Sequence, residues 1–151
     1  MSPMSREAAI ARASALFTSG AFRDKLARRV AIPTESQDAA RTTQLMDYLT
    51  AEMIPDFAAL GFATEIIPNP KGAGPFLFAT RMEGADLPTV LGYGHGDVIR
   101  GMHDQWREGL DPWRLTERDG RWYGRGVADN KGQHQINIEA LRSVLETRGK
   151  L

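Results

Sequence analysis

Cysteine is absent from this 151-residue chain, which excludes disulfides and thiolate metal sites and leaves the compartment unreadable from redox chemistry. Any metal must then be held by histidine and carboxylate, and histidine is scarce, with only three in the chain. A charge excess is also missing: 19 Lys and Arg balance 19 Asp and Glu, with no block of like charge. That balance gives no nucleic-acid footprint and no basic membrane-binding face. No apolar run approaches the roughly 20 residues of a membrane span. The first twenty residues, rich in Ala and Ser with Arg6, Glu7 and Arg12 among them, lack a continuous signal-peptide core. A cytoplasmic location is therefore the default expectation. No repeat, low-complexity tract or linker interrupts the chain, and its length suits one ordinary domain with a core of its own.

The N-terminal third has helical periodicity. Ile10, Ala13 and Phe17 mark one apolar stripe, Ser19-Gly20 a break, and Phe22, Leu26 and Val30 a second helix that Pro33 ends. A further helix is expected from Ser36 or Asp38, with Met46, Leu49, Met53, Phe57 and Leu60 on one face and a stop at Gly61. Pro55 should kink it by removing the bond to the Ala51 carbonyl. After Gly61 the period shortens. Residues 62–67, 76–82 and 89–94 are β-prone segments between Pro and Gly clusters, predicted as strands of one sheet. Residues 113–117 and 121–123 flank Asp119-Gly120, a dipeptide that favours a tight hairpin turn. A last helix is predicted from Gly132 to about Glu146, with Ile138, Leu141 and Leu145 on one face. Helices, then strands, then a crossover helix indicate a three-layer α/β/α domain.

The chemistry-bearing residues are His95-Gly96-Asp97 and Asp129, the latter on a glycine-rich turn, Gly124-Arg125-Gly126-Val127-Ala128-Asp129-Asn130-Lys131-Gly132. Residues two apart on an extended chain point to the same side, so His95 and Asp97 can lie together where Leu91-Gly92-Tyr93-Gly94 leaves the sheet. Open α/β sheets bind ligands at such strand ends. A metal-bound imidazole commonly gives its second N–H to a carboxylate, and Asp97 is placed for that. The plainer alternative is a hydrogen-bonded histidine beside a turn residue. Asp129, just before the last helix, could likewise be an N-cap and nothing more. Gly124-Arg125-Gly126 resembles the start of a phosphate loop, but the third glycine is absent and a carboxylate at the helix start would repel phosphate while attracting a divalent cation. His103 lies in a long polar connection, as a solvated histidine would. His134 shares a helical face with Ile138, as a packed or capping residue would.

From Tyr93 to Gly132 the chain reads YGHGDV, then WREGLDPW, then ERDGRWYGRGVADNKG. It closely resembles the metal-binding half of the M20 family of zinc aminoacylases and peptidases, and among them the dipeptidase and carnosinase-like branch. Ile32-Pro33-Thr34 is similar to the family's early turn. The resemblance implies a zinc-peptidase-like α/β catalytic domain with two zinc ions per complete site. It implies that His95 binds one zinc, that Asp97 orients the site as a catalytic residue, and that Asp129 bridges the two metals. It also implies a cis peptide bond after Asp129. The activity implied is cleavage of an amide bond, in a small peptide or an N-acyl amino acid, by a metal-activated water.

One departure from the family pattern stands out. Family members continue into a Glu-Glu pair, general base and ligand, then another acidic ligand and a final histidine, whereas this chain has no Glu-Glu dipeptide. His103 and His134 match no ligand position. The expectation is accordingly that residues 1–151 are the N-terminal portion of a metallopeptidase catalytic domain, with the remainder and a lid domain absent. On that reading the chain alone is inactive and its zinc binding weak or absent. A different class of explanation is a non-catalytic α/β module that keeps the motif as a structural turn. The last helix is expected to leave an apolar face uncovered, so self-association into a homo-oligomer is a further expectation.

Overall fold

A computed structural model describes residues 6–72 and 74–151 of the chain. Positions 1–5, part of the stretch read for a signal peptide, lie outside the described residues. Two helices come first, α1 (Arg6–Thr18) and α2 (Ala21–Val30), broken at Gly20, whose φ of 84° lies in the left-handed region. In α2 the expected stripe is buried: Leu26 and Val30 face inward with Phe22 beside them. In α1 it is not. Ile10 and Phe17 stay half exposed, and the helix is held to the last helix partly through Arg12, which pairs with Glu146 and donates to Ser143.

The long helix expected up to Leu60 is segmented. A short 3₁₀ turn (Ala39–Arg41), α3 (Thr42–Asp47), a π-helical stretch (Tyr48–Met53) and α4 (Ile54–Ala59) follow one another. Pro55 supplies the physical reason. It lacks the N–H that would bond to Ala51, and the wider π turn immediately before it absorbs the missing bond. That extra residue shifts the phase of the buried face, so Leu45, Tyr48, Met53 and Leu60 point inward and Met46 outward. Gly61, at φ 76°, then turns the chain away.

Strands β1 (Ala63–Ile67) and β2 (Phe76–Thr80) pair antiparallel, Ala63 opposite Thr80 and Ile67 opposite Phe76. Strands β3 (Thr116–Arg118) and β4 (Arg121–Tyr123) form a second hairpin whose turn is Asp119-Gly120, with φ of 54° and 67°. Positive φ at both central residues matches a type I′ turn, which Asp-Gly favours. The α/β character read from the sequence is present, but the continuous sheet is not: the described strands make two separate two-stranded sheets. Residues 89–94, expected as a third strand, have no ladder partner, and Val90, Leu91 and Tyr93 are almost fully exposed. A strand persists only when a neighbour satisfies its backbone groups, and β1 and β2 pair only with each other.

Helix α5 (Lys131–Arg148) runs slightly longer than expected and ends at Gly149 in the left-handed conformation. Its apolar face, expected to be bare, is covered. Ile138 is buried against Tyr48, Met53 and Leu60, with Leu141, Leu145, Phe57 and Leu77 around them. Leu26, Val30 and Leu115 form the second cluster, bordered by Trp122 and Val127. Tyr48 of the first cluster lies against Gly96, and Val127, packed on the second, stands two residues before Asp129. No described helix is long and apolar enough to cross a membrane.

Candidate metal centre

The segment bearing His95 and Asp97 is tied to the turn after α2. Val98 N–H donates to Thr34 O at 2.8 Å and Ser36 N–H to Val98 O at 3.3 Å, which with the Glu35 to Val98 bridge makes a short parallel contact. Side chains reinforce it: Thr34 Oγ1 donates to Gly96 O at 2.7 Å, and Ser36 Oγ to Asp97 Oδ2 at 2.6 Å. The Ile32-Pro33-Thr34 turn thus positions the motif. Pro33 restricts the preceding residue to extended geometry and ends the helix, so the polar residues that follow are free to pair.

On that support a single imidazole lies between two carboxylates. His95 Nδ1 is 3.1 Å from the Asp97 carbonyl oxygen and 3.2 Å from Asp97 Oδ1. His95 Nε2 is 3.1 Å from Asp129 Oδ1. With acceptors on both nitrogens the ring is suited to carry two protons. Burial, the largest single influence, pulls its pKa down, but the Asp97 carbonyl and the carboxylates of Asp97 and Asp129 outweigh it and raise it above the ordinary histidine value. Asp129 is not spent as a cap: α5 has no side-chain N-cap bond, and the Asp129 carboxylate is largely exposed except toward His95. The Asp129–Asn130 peptide bond is cis.

The two inner donors fit a divalent cation. Two ligands about 2.0–2.1 Å from one ion at a tetrahedral angle lie roughly 3.3 Å apart, close to the 3.1 Å between His95 Nε2 and Asp129 Oδ1. Imidazole nitrogen with carboxylate oxygen is a donor set that suits zinc. Asp97 sits on the far nitrogen, where it would hold the ring in the tautomer that leaves Nε2 free for a metal. Among the described residues no group of three or more His, Asp or Glu side chains gathers to hold an ion, so His95 and Asp129 are the pair available. The motif lies at the end of an unpaired segment rather than at the edge of a sheet, for the reason given above.

The other histidines are elsewhere. His103 is exposed, accepts from Trp113 Nε1–H at 3.1 Å and lies 3.8 Å from Asp111. His134 is beneath the motif, its Nδ1 2.8 Å from the Tyr48 hydroxyl. Burial first, then Arg29, His95 and Lys131, lowers the His134 pKa to about 4, so the ring is neutral near pH 7. Burial also raises the Tyr48 pKa and lowers that of Lys131 to about 7. Lys131, fully buried, donates to Ile32 O at 2.6 Å and stands 5.4 Å from the centre of the Tyr48 ring. Sequence reasoning missed Tyr48 and Lys131. Tyr48 lies off the apolar stripe until the π turn brings it in, and a lysine at a helix start ordinarily reads as solvated. Ser36 carried only the signal of a helix start, a role that Asp38 takes by capping the 3₁₀ turn.

Comparison with known proteins adds the following. Residues 91–151 match the model of peptidase family M20/M25/M40. A cysteinylglycine-S-conjugate dipeptidase of Corynebacterium striatum is 51% identical over 65 residues, covering 42% of this chain and 14% of that protein. An acetylornithine deacetylase of Proteus mirabilis is 36% identical over 116 residues, 76% of this chain and 29% of the other. Human carnosine dipeptidase 1 superposes with a TM-score of 0.82 at 27% identity over 96% of this chain and 32% of its own. The Saccharomyces cerevisiae di-peptidase Dug1p shares the fold, with a TM-score of 0.80 at 20% identity over 98% of this chain and 32% of its own. The chain therefore spans less than a third of the length of the curated relatives it matches.

Proposed function

We propose, from the match of residues 91–151 to the M20/M25/M40 peptidase family, that the chain is a member of it and the metal-binding part of a zinc-dependent hydrolase acting on amide bonds. The substrate class is a small peptide or an N-acyl amino acid. One observation carries the reading: the His95 ring is held between Asp97 on one nitrogen and Asp129 on the other. A capping aspartate or a turn histidine has no need of that alignment.

In this reading His95 Nε2 and Asp129 hold zinc, which when bound supplies a Lewis acid for the scissile carbonyl and for water. Asp97 keeps a proton on His95 Nδ1, and Ser36, by donating to Asp97, fixes the direction from which that proton is held. Binding requires loss of the Nε2 proton, so affinity is coupled to pH. A stable catalytic zinc site generally has three protein ligands and one exchangeable position. His95 and Asp129 alone should therefore give weak, easily chelated zinc and no turnover in the 151-residue chain. The same reading has the protein act in the cytoplasm on small soluble substrates, without nucleic acid.

Zinc titration by calorimetry, run with assays on a panel of dipeptides and N-acyl amino acids, tests it. The expected result is weak binding that His95→Ala or Asp129→Ala abolishes, with no hydrolysis. Zinc binding that survives both substitutions would overturn the metal assignment. Tight stoichiometric zinc with turnover would overturn the expectation of inactivity.

A further inference from the structure

His95 is flanked by two glycines, and each packs on one member of a hydrogen-bonded pair. A Cβ added to Gly94 would overlap His134 Nε2 and stand 3.0 Å from Asn130 Oδ1. A Cβ added to Gly96 would stand 2.6 Å from the Tyr48 ring. Tyr48 and His134 are joined by the 2.8 Å contact between hydroxyl and Nδ1, with ring centroids 6.0 Å apart. Tyr48 is fully buried, and its ring is pressed from another side by Lys131. The backbone of residues 94–96 thus lies across a two-ring platform, with Thr34 Oγ1 fastening it at Gly96 O.

We propose that Tyr48 and His134 are positioning residues for His95: the pair, with the glycines it requires, sets the backbone from which the His95 ring is aimed between Asp97 and Asp129. Their polar atoms are engaged with each other, Tyr48 hydroxyl to His134 Nδ1, and their rings face the backbone at Gly96 and Gly94, so the role assigned to them is support and not ligation. The platform joins elements far apart in sequence, the π-helical stretch and α5, and α5 begins two residues after Asp129. The Tyr48 to His134 hydrogen bond, with the Lys131 bond to Ile32 O, therefore ties the two halves of the centre to each other. The platform also explains why glycine stands on both sides of His95, since any side chain there would displace a ring.

The inference deepens the metal-centre reading, and its test separates the two. The 151-residue chain is compared with Tyr48→Phe, His134→Ala, His134→Asn, Gly94→Ala and the Gly94→Ala/His134→Ala double variant. Zinc affinity is one readout and the NMR signals of the His95 ring nitrogens without metal are the other, with circular dichroism as the check on folding. Residues that support a metal ligand typically contribute about 10- to 100-fold in affinity, so Tyr48→Phe and His134→Ala should weaken zinc at least about tenfold and shift the His95 ring signals. His134→Asn, which can still bond to Tyr48, should recover most of both. Gly94→Ala should be as damaging as His134→Ala, while the double variant should be no worse than His134→Ala alone, because the clash is then gone. Unchanged zinc affinity and His95 signals in folded Tyr48→Phe and His134→Ala would overturn the proposal, as would strict additivity of the Gly94 and His134 changes. Zinc binding that survives His95→Ala and Asp129→Ala would overturn the metal reading alone, and the His95 signals across the same variants decide the positioning role whether or not zinc binds measurably.

Discussion

His134 and His95 titrate in opposite senses. The pKa of His134 is depressed to about 4 in the folded chain and returns to about 6.5 on unfolding. Below pH 6.5 the unfolded state binds the extra proton, so stability falls as pH drops toward 4 and is flat beyond. The integrated loss is at most about 3 kcal/mol, about 2 of it by pH 5. Denaturant unfolding of the unmodified chain and His134→Asn at pH 7 and pH 5 should show a smaller loss in the variant. The His95 pKa is raised, so its contribution is present below its unfolded value and fades as pH rises through the folded one. Asp97→Asn removes one of the carboxylates responsible, and an NMR titration of His95 should find a lower pKa than in the unmodified chain. The same variant should bind zinc about 10- to 100-fold more weakly, because the ring loses its orienting acceptor.

Among the elements, α2, α4 and α5 are joined by charge as well as by apolar packing. Asp56 on α4 accepts from Lys25 at 2.6 Å, from Arg142 at 2.9 Å and from Arg29, whose side chain is fully buried. Glu139 on α5 accepts from Lys25 at 2.9 Å and from Arg142 at 3.1 Å. Arg29 Nε and Nη1 have no hydrogen-bond partner of their own, so Asp56 is the principal compensation for a buried cation. Removing one partner of a buried pair typically costs about 3–5 kcal/mol, more than the intact pair contributes, because the remaining charge is stranded. Asp56→Ala should lose about that much in urea unfolding at pH 7, whereas Ile138→Ala, which empties the apolar cluster on the same helix, should cost about 2–5 kcal/mol. Equal losses from Asp56→Ala and from exposed Asp24→Ala would show that the network contributes nothing specific.

At the scale of the whole molecule, the uncovered apolar surface is not where helical periodicity had put it. The Ile138 face of helix α5 is packed, and the exposed apolar side chains include Val90, Leu91 and Tyr93 together with Phe76 and Phe78 on the outer face of β2. Unpaired backbone beside apolar side chains is a template for pairing with another chain. Sedimentation velocity over a wide concentration range should show self-association, and a Val90→Lys/Leu91→Glu variant should shift it toward monomer without changing the helical circular dichroism. A chain that stays monomeric throughout, or a variant that associates as strongly, would place the sticky surface elsewhere.

Motif chemistry and local structure were determined by the sequence alone. Spacing placed His95 and Asp97 on one side of the chain, Asp119-Gly120 specified a hairpin turn, and apolar periodicity marked α2 and α5, because each depends on bond geometry or on residues a few positions apart. Three features were decided only by the tertiary structure. The π turn before Pro55 rotated Tyr48 into the core, a phase change of one residue that no fixed period reveals. Residues 89–94 found no ladder partner, since strand identity depends on a neighbour as much as on propensity. The Tyr48 to His134 contact under His95 joins positions 86 residues apart, a distance over which chain connectivity imposes no geometry and packing alone determines which side chains meet.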